Sequence, residues 1–251
     1  MKKMLVLGLT AFLLIAFSSC QFNLFAALDR IEIPSSSDLN SKASSDPDGF
    51  MSDVEDYLES GSITDDNIND VLGVLEGIYS NPPDVETGQE AALLAGEVSL
   101  ESNPDTVVLM DNVVGILIPV LSNEDPEAPE LTANDLVASI FTGPEEGFHD
   151  VFVSLKSASG AYSSFASSID ADGDGVVDDI NTAAPGVADE EKVDLAIYAV
   201  VSIIAADLGE KVLYDLVYND VEPSGDLLND SMELKALLQF AGLDSLLGDS
   251  E

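Results

Sequence analysis

Apolar residues recur at helical spacing along most of this chain. In "TDDNINDVLGVLEGIY", residues 64–79, Ile68, Val71, Leu72, Leu75, Ile78 and Tyr79 share one face, the period of an amphipathic helix. Thr64 is placed to cap it, and Asp65 and Asp66 stand where the positive end of the helix dipole favours carboxylates. "VETGQEAALLAGEVSLES" (85–102) and "DTVVLMDNVVGILIPVL" (105–121) follow. The second is apolar almost all round, the pattern of a helix at the centre of a fold, although its many β-branched residues leave a strand open. Further helices are expected at 134–141, 149–168, 189–208, 210–219 and 227–247. "VDLAIYAVVSIIAADL" reads as a second central helix rather than a membrane span, because Asp194 and Asp207 bracket it. Gly209 either ends or bends it.

Pro82, Pro104, Pro126, Pro129, Pro144, Pro185 and Pro223 fall between these segments, where a missing N–H does no harm. Turn signals "SNPP", "SNPD" and "SNED" begin at Ser80, Ser102 and Ser122, spaced 22 and 20 residues apart. A helix-turn unit of that length suits helical hairpins, though it lacks the 34-residue period and residue pattern of a tetratricopeptide repeat. The expected fold is all-α: an irregular helical bundle or a short α-solenoid-like array of helical hairpins, formed by residues 51–251 as one acidic helical domain.

The first twenty residues, "MKKMLVLGLTAFLLIAFSSC", break the pattern with a basic start, an uncharged run from Met4 to Phe17, two serines and a cysteine. That is the order of a secretory signal, and the run is too short to span a bilayer comfortably. Cys20 is the single cysteine of the chain, so it has no internal disulfide partner. The stretch resembles a bacterial lipoprotein box. The resemblance implies a signal peptide over 1–19 and lipidation of Cys20, with Phe17 departing from the usual leucine. Several acyl chains, at about 0.8 kcal/mol per buried methylene, would make attachment permanent. Gln21, in place of an aspartate, favours the outer membrane by analogy with lipoprotein sorting. Ordinary secretion with a free thiol is the alternative. "SSSDLNSKASSDPDG", residues 35–49, lacks periodicity and reads as flexible linker, so 20–50 is expected to be a lipid-anchored tether.

Charge narrows the partners. Against 48 Asp and Glu stand 8 Lys and Arg, a formal net charge of -40. Nucleic acid would be repelled by nearly every face, whereas cations are natural company. No Trp and a single histidine, His149, leave little for imidazole-based catalysis, and His149 reads as a first-turn residue of a helix. Nothing singles out a carboxylate pair for glycosidase chemistry. The chain is therefore expected not to be an enzyme.

One window gathers the charge. "DADGDGVVDDIN", residues 170–181, places Asp170, Asp172 and Asp174 at alternate positions, then Gly175 for a sharp turn, Val176 with a carbonyl to offer, Val177 as an apolar pin, and Asp178. Alternating aspartates on a tight loop turn their carboxylates inward together, and calcium wants six to eight such oxygens. The window resembles the calcium loops of EF-hands, dockerins and thrombospondin type-three repeats. That resemblance implies Asp170, Asp172, Asp174, Val176, Asp178 and Asn181 as the ligand set. Asn181 stands where an EF-hand has a bidentate Glu, and no helix follows at once, so the site is expected to be weak, like extracellular modules that bind at about 10⁻⁴ to 10⁻³ M. Asp179, Asp189, Glu190 and Glu191 are candidates for the missing ligand. A single loop favours a structural staple over a switch.

Two functions follow as expectations. The first is a lipid-anchored envelope protein whose calcium-stapled helical body acts as scaffold or adaptor for another envelope protein. The second is an envelope binding protein that holds a small apolar or cationic ligand between its helices.

Overall fold

The computed structural model of the protein describes residues 31–121, 145–177, 182–185, 187–188, 191–219 and 231–243, with side chains to Val113 in the helix that ends at Leu121. The expected signal peptide, Cys20 and the helix at 134–141 lie outside these residues. Within them the fold is all-α. The helices are α1 (Ser36–Ser45), α2 (Pro47–Glu59), α3 (Ile68–Ser80), α4 (Val85–Glu101), α5 (Pro104–Leu121), α6 (Phe148–Ile169), α7 (Lys192–Asn219) and α8 (Met232–Phe240). A 3₁₀ turn, Glu145–Gly147, leads into α6. No helix among the described residues is long and apolar enough to cross a membrane.

The first correction concerns the expected tether. Residues 36–45 and 47–59 are helical, and the folded body begins near Ile31 rather than at residue 51. The same Ser and Asp residues that suggest a linker act here as caps. Ser35 accepts from the Asp38 backbone N–H, and Asp46 ends α1 and accepts from the Gly49 N–H at the start of α2, with Pro47 in its first turn. Caps of this kind are worth about 1 kcal/mol each. Leu39 and Ala43, four residues apart, turn one side of α1 into the core. A Lys42–Asp53 ion pair joins α1 to α2, Ser36 donates to Asp70 of α3 at 2.8 Å, and the Ile31 N–H donates to Ser62 at 2.8 Å.

The helix expected from Thr64 starts later. Residues 65–67 form a turn, in which the Asn67 amide oxygen accepts from the Thr64 N–H at 2.8 Å, and α3 begins at Ile68.

Two hydrophobic clusters fill the interior. The smaller joins α1, α2 and α3 to one face of α4 through residues such as Phe50, Met51, Val54, Leu75, Leu94 and Val98. The larger joins the opposite side of α4 to α5, α6, α7 and α8 through Leu155, Phe165, Ile204, Leu213, Leu237 and Phe240. Fully burying each such side chain stabilises the fold by roughly 1.5–3 kcal/mol.

The helices at the centre are therefore α4 and α6, not the more hydrophobic 105–121 segment. The first half of α5 exposes Asp105, Asp111, Asn112 and Val108, and a centre needs close approach more than bulk. Small residues on α4 provide that approach: a Cβ on Gly96 would lie 2.5 Å from Cζ of Tyr162 in α6. Gln89 bonding Ser168, and Ser99 bonding Ser157, show that α4 and α6 run antiparallel.

Helix α7 buries every residue from Ala199 to Ala205, as its apolar run predicts. It breaks at Gly209, whose φ of 74° and ψ of 156° belong to a region that only glycine enters readily. The second half of α7 thereby sets Tyr214 and Tyr218 edge-on to Phe148, with ring centroids 5.5 and 5.6 Å away. That contact joins the end of α7 to the start of α6, so these two helices are antiparallel as well.

Candidate metal centre

The loop that leaves α6 begins at Asp170, the residue that caps the helix. Its N–H still bonds the Ala166 carbonyl at 3.1 Å, and its side chain is buried at 7% exposure. Oδ1 accepts from the backbone N–H groups of Gly173 (3.0 Å) and Asp174 (3.2 Å), and Oδ2 from that of Gly175 (2.9 Å). Gly173 and Gly175 have φ of 72° and 80°, left-handed conformations that let the chain curl around one carboxylate. One Asp174 oxygen then accepts from the Val176 N–H at 2.8 Å.

The curl brings one carboxylate oxygen from each of Asp170, Asp172 and Asp174 within 4.8 Å of one another. A carboxylate offers about four lone-pair positions. The three backbone bonds to Asp170 leave roughly one of these for an ion, while Asp172 and Asp174 are exposed and can turn toward it. All the donors are hard oxygens, so the set suits a hard cation better than a soft metal.

The remainder of the expected ligand set divides. Val176 is described and exposed, at 48%. Asp178, Asp179, Asn181, Asp189 and Glu190 lie outside the described residues. Glu191 is not part of the three-aspartate group; its carboxylate accepts from the Ala188 N–H at 3.4 Å in the turn before α7.

Three contacts that the sequence motif does not announce hold the loop. Val177, the apolar pin, is buried in the larger core, and its N–H donates to the Gln239 side chain of α8 at 2.6 Å. Gly175 lies against α8, where a Cβ would meet Met232 Sδ at 3.1 Å and Lys235 Cβ at 3.4 Å. At the base of the loop Gln89 of α4, itself buried, donates to Ser168 Oγ (3.0 Å) and to the Ala183 carbonyl (2.7 Å). A glutamine at a buried helical position, as at 89, was the available signal: a buried amide needs partners.

A second feature is a cleft of about 530 Å³ between α3, the α4–α5 turn and α6. Asp65, Asp105 and Asp150 stand among its walls with Leu72, Ser99 and Val153. His149, in the first turn of α6 as expected, is exposed and pairs with Glu210 of α7 at 2.7 Å.

No protein-family model, no curated protein and no solved structure matches this chain.

Proposed function

We propose that this is a lipid-anchored envelope protein whose helical body is stapled by calcium at the Asp170 loop and serves as scaffold or adaptor for another envelope component. The convergence of the Asp170, Asp172 and Asp174 carboxylates within 4.8 Å carries the reading. With an ion bound, the end of α6, the Val177 pin and, through Gln239, α8 become parts of one rigid unit. The loop has no second, paired loop among the described residues, which suits a staple rather than a sensor. The cysteine at position 20 and the basic, then apolar, segment before it support the anchor, and Gln21 supports the outer membrane.

Calorimetry with calcium tests the metal half. Heat of binding and a rise in melting temperature are expected from the wild type and lost in Asp172→Asn/Asp174→Asn; absence of both signals in the wild type ends the assignment. Partition into a detergent phase, lost in Cys20→Ser, tests the anchor. Affinity capture from the envelope with and without calcium tests the adaptor role.

The cleft between α3 and α6 supports the alternative, a carrier of a small cationic ligand, since aspartates stand in its walls beside the apolar Leu72 and Val153. Binding of an organic amine, lost in Asp150→Asn, would favour it over the scaffold.

A further inference from the structure

We propose that the cleft between α3, the α4–α5 turn and α6 is a docking groove for a partner protein, and that it takes a short basic segment with aliphatic side chains between its lysines or arginines. The proposal rests on the adaptor reading and supplies the chemistry of the partner.

Helix register builds the groove. Ile68, Asn69 and Leu72 of α3, and Asp150, Val153 and Ser157 of α6, line it at spacings of three and four, so each helix gives it one face. The α4–α5 turn adds Asn103, Pro104 and Asp105. Ser99 of α4 and Ser157 of α6 bond each other at 3.0 Å, which holds these two helices together along the groove.

The lining is of two kinds. Ile68 and Leu72 are half-buried and pack on the outside of the smaller core, while Val153 is 50% exposed. Asp65, Asp105 and Asp150 share the walls with these apolar residues, and among the described residues no Lys, Arg or His lines the cleft.

Those three aspartates are committed to no partner within the fold. Asp46 and Asp84, which also stand at helix starts, cap α2 and α4 through their carboxylates. Asp53 and Asp215 pair with lysines. The carboxylates of Asp65, Asp105 and Asp150 accept no hydrogen bond and form no ion pair among the described residues. Acids left free around an apolar strip complement a chain that presents cations around an apolar strip.

Exposure selects the occupant. All three aspartates and Val153 are exposed, so a small amine placed there keeps much of its water, and one exposed ion pair is worth little. A basic, aliphatic segment makes several such pairs and the apolar contact in a single binding event, where each contact made holds the others in reach. Attraction to a protein of net charge -40 also speeds its approach.

Fluorescence anisotropy of the whole protein with a labelled peptide of alternating lysine and leucine tests the groove, at about 0.15 M salt to screen general attraction. Saturable binding is expected. Asp65→Asn/Asp105→Asn/Asp150→Asn is expected to weaken it about tenfold or more, since each exposed pair contributes up to about fivefold. Val153→Ser is expected to weaken it about threefold, through lost apolar contact. Glu55→Gln/Glu59→Gln/Glu86→Gln removes the same charge outside the cleft and is expected to change binding less than about twofold. Helical circular dichroism checks folding in each variant. Absence of saturable binding overturns the proposal, as does equal weakening by the two triple variants, which would make the attraction general. Spermidine bound as tightly as the peptide, with the same dependence on the cleft aspartates, overturns it in favour of the carrier. Envelope capture undiminished by the cleft triple variant would overturn the groove and leave the adaptor reading standing. The staple and the anchor are read separately, by calcium calorimetry and detergent partition.

Discussion

The two hydrophobic cores are built from different distances along the chain. The smaller one takes α1, α2 and α3 in order, within residues 36–80, and closes against the next helix, α4. Its parts are neighbours in sequence, started by the caps Ser35 and Asp46. The larger one reaches from Ala92 to Phe240, and its helices are drawn together by long-range pins: Gln89 to Ala183, Gln239 to Val177, Ser163 to Glu233. The aspartate loop borders this second region through Val177. Local contacts repay their ordering entropy early, whereas distant ones must first close long loops, so the larger region has more to gain from a bound cation.

Core truncations divide the two regions most sharply. Phe50 and Phe165 are both fully buried, at 0% exposure, and replacing either with Ala is expected to cost about 3–5 kcal/mol. Native-state hydrogen exchange is the discriminating measurement. Phe165→Ala, which loses the edge-on contact to Phe240 at 5.7 Å, is expected to release α6 to α8 while α1 to α3 stay protected. Phe50→Ala is expected to do the reverse. Equal loss across all helices in both variants would mean that the cores unfold as one unit.

Gly96 tests the wall between them. Ala is the better helix former by about 1 kcal/mol, yet its Cβ would press 2.5 Å from a tyrosine ring that is 2% exposed and has nowhere to swing. Overpacking costs roughly 1–3 kcal/mol, so Gly96→Ala is expected to destabilise on balance, by up to about 2 kcal/mol in chemical denaturation. Tyr162→Leu in the same chain is expected to recover part of that loss. A stabilised Gly96→Ala would show that α4 and α6 separate more easily than this contact implies.

Gln239 probes how the loop and α8 depend on each other. Gln239→Ala leaves the Val177 N–H without its acceptor, at a cost of about 1–3 kcal/mol. The loss is expected in the larger region alone, and calcium titration should give weaker binding than in the wild type, because the loop has then lost its hydrogen bond to α8. Unchanged calcium binding would uncouple α8 from the loop.

How far the sequence reveals this depends on where each interaction lies. The amphipathic period of α3, the apolar run of α7 and the alternation Asp170, Asp172, Asp174 are all written in consecutive residues, and each is found in the structure. The tether reading failed at 36–49 because Ser, Asp and Gly serve equally as linker residues and as caps, and only Leu39 and Ala43 betray the buried side. Hydrophobicity also misplaced the centre, since close packing of α4 on α6 is bought with glycine, alanine and serine. The close approach of Gly96 to Tyr162 depends on the register of α4 against α6, which no single segment contains.

The smallest expected effect lies at the far end of the larger region, where His149 of α6 meets Glu210, the residue after the break in α7. The hydrogen bond and the charge of Glu210 raise the imidazole above its ordinary 6.5 in the folded protein. A raised folded value means that folding binds the proton more tightly. The stabilisation is therefore fully present below the unfolded value near 6.5 and is lost as pH rises through the higher folded value. Both side chains are largely exposed, so the pair contributes little, and salt should weaken it further. His149→Gln is expected to lower the melting temperature slightly on the acid side of this window and to leave it unchanged above, with high salt erasing the difference. The Tyr214–Glu145 bond and the Phe148 ring contacts hold the same junction without a titrating group near neutral pH. A melting difference that persists above the window would therefore assign His149 a packing role, and a difference that follows pH would assign the contribution to its charge.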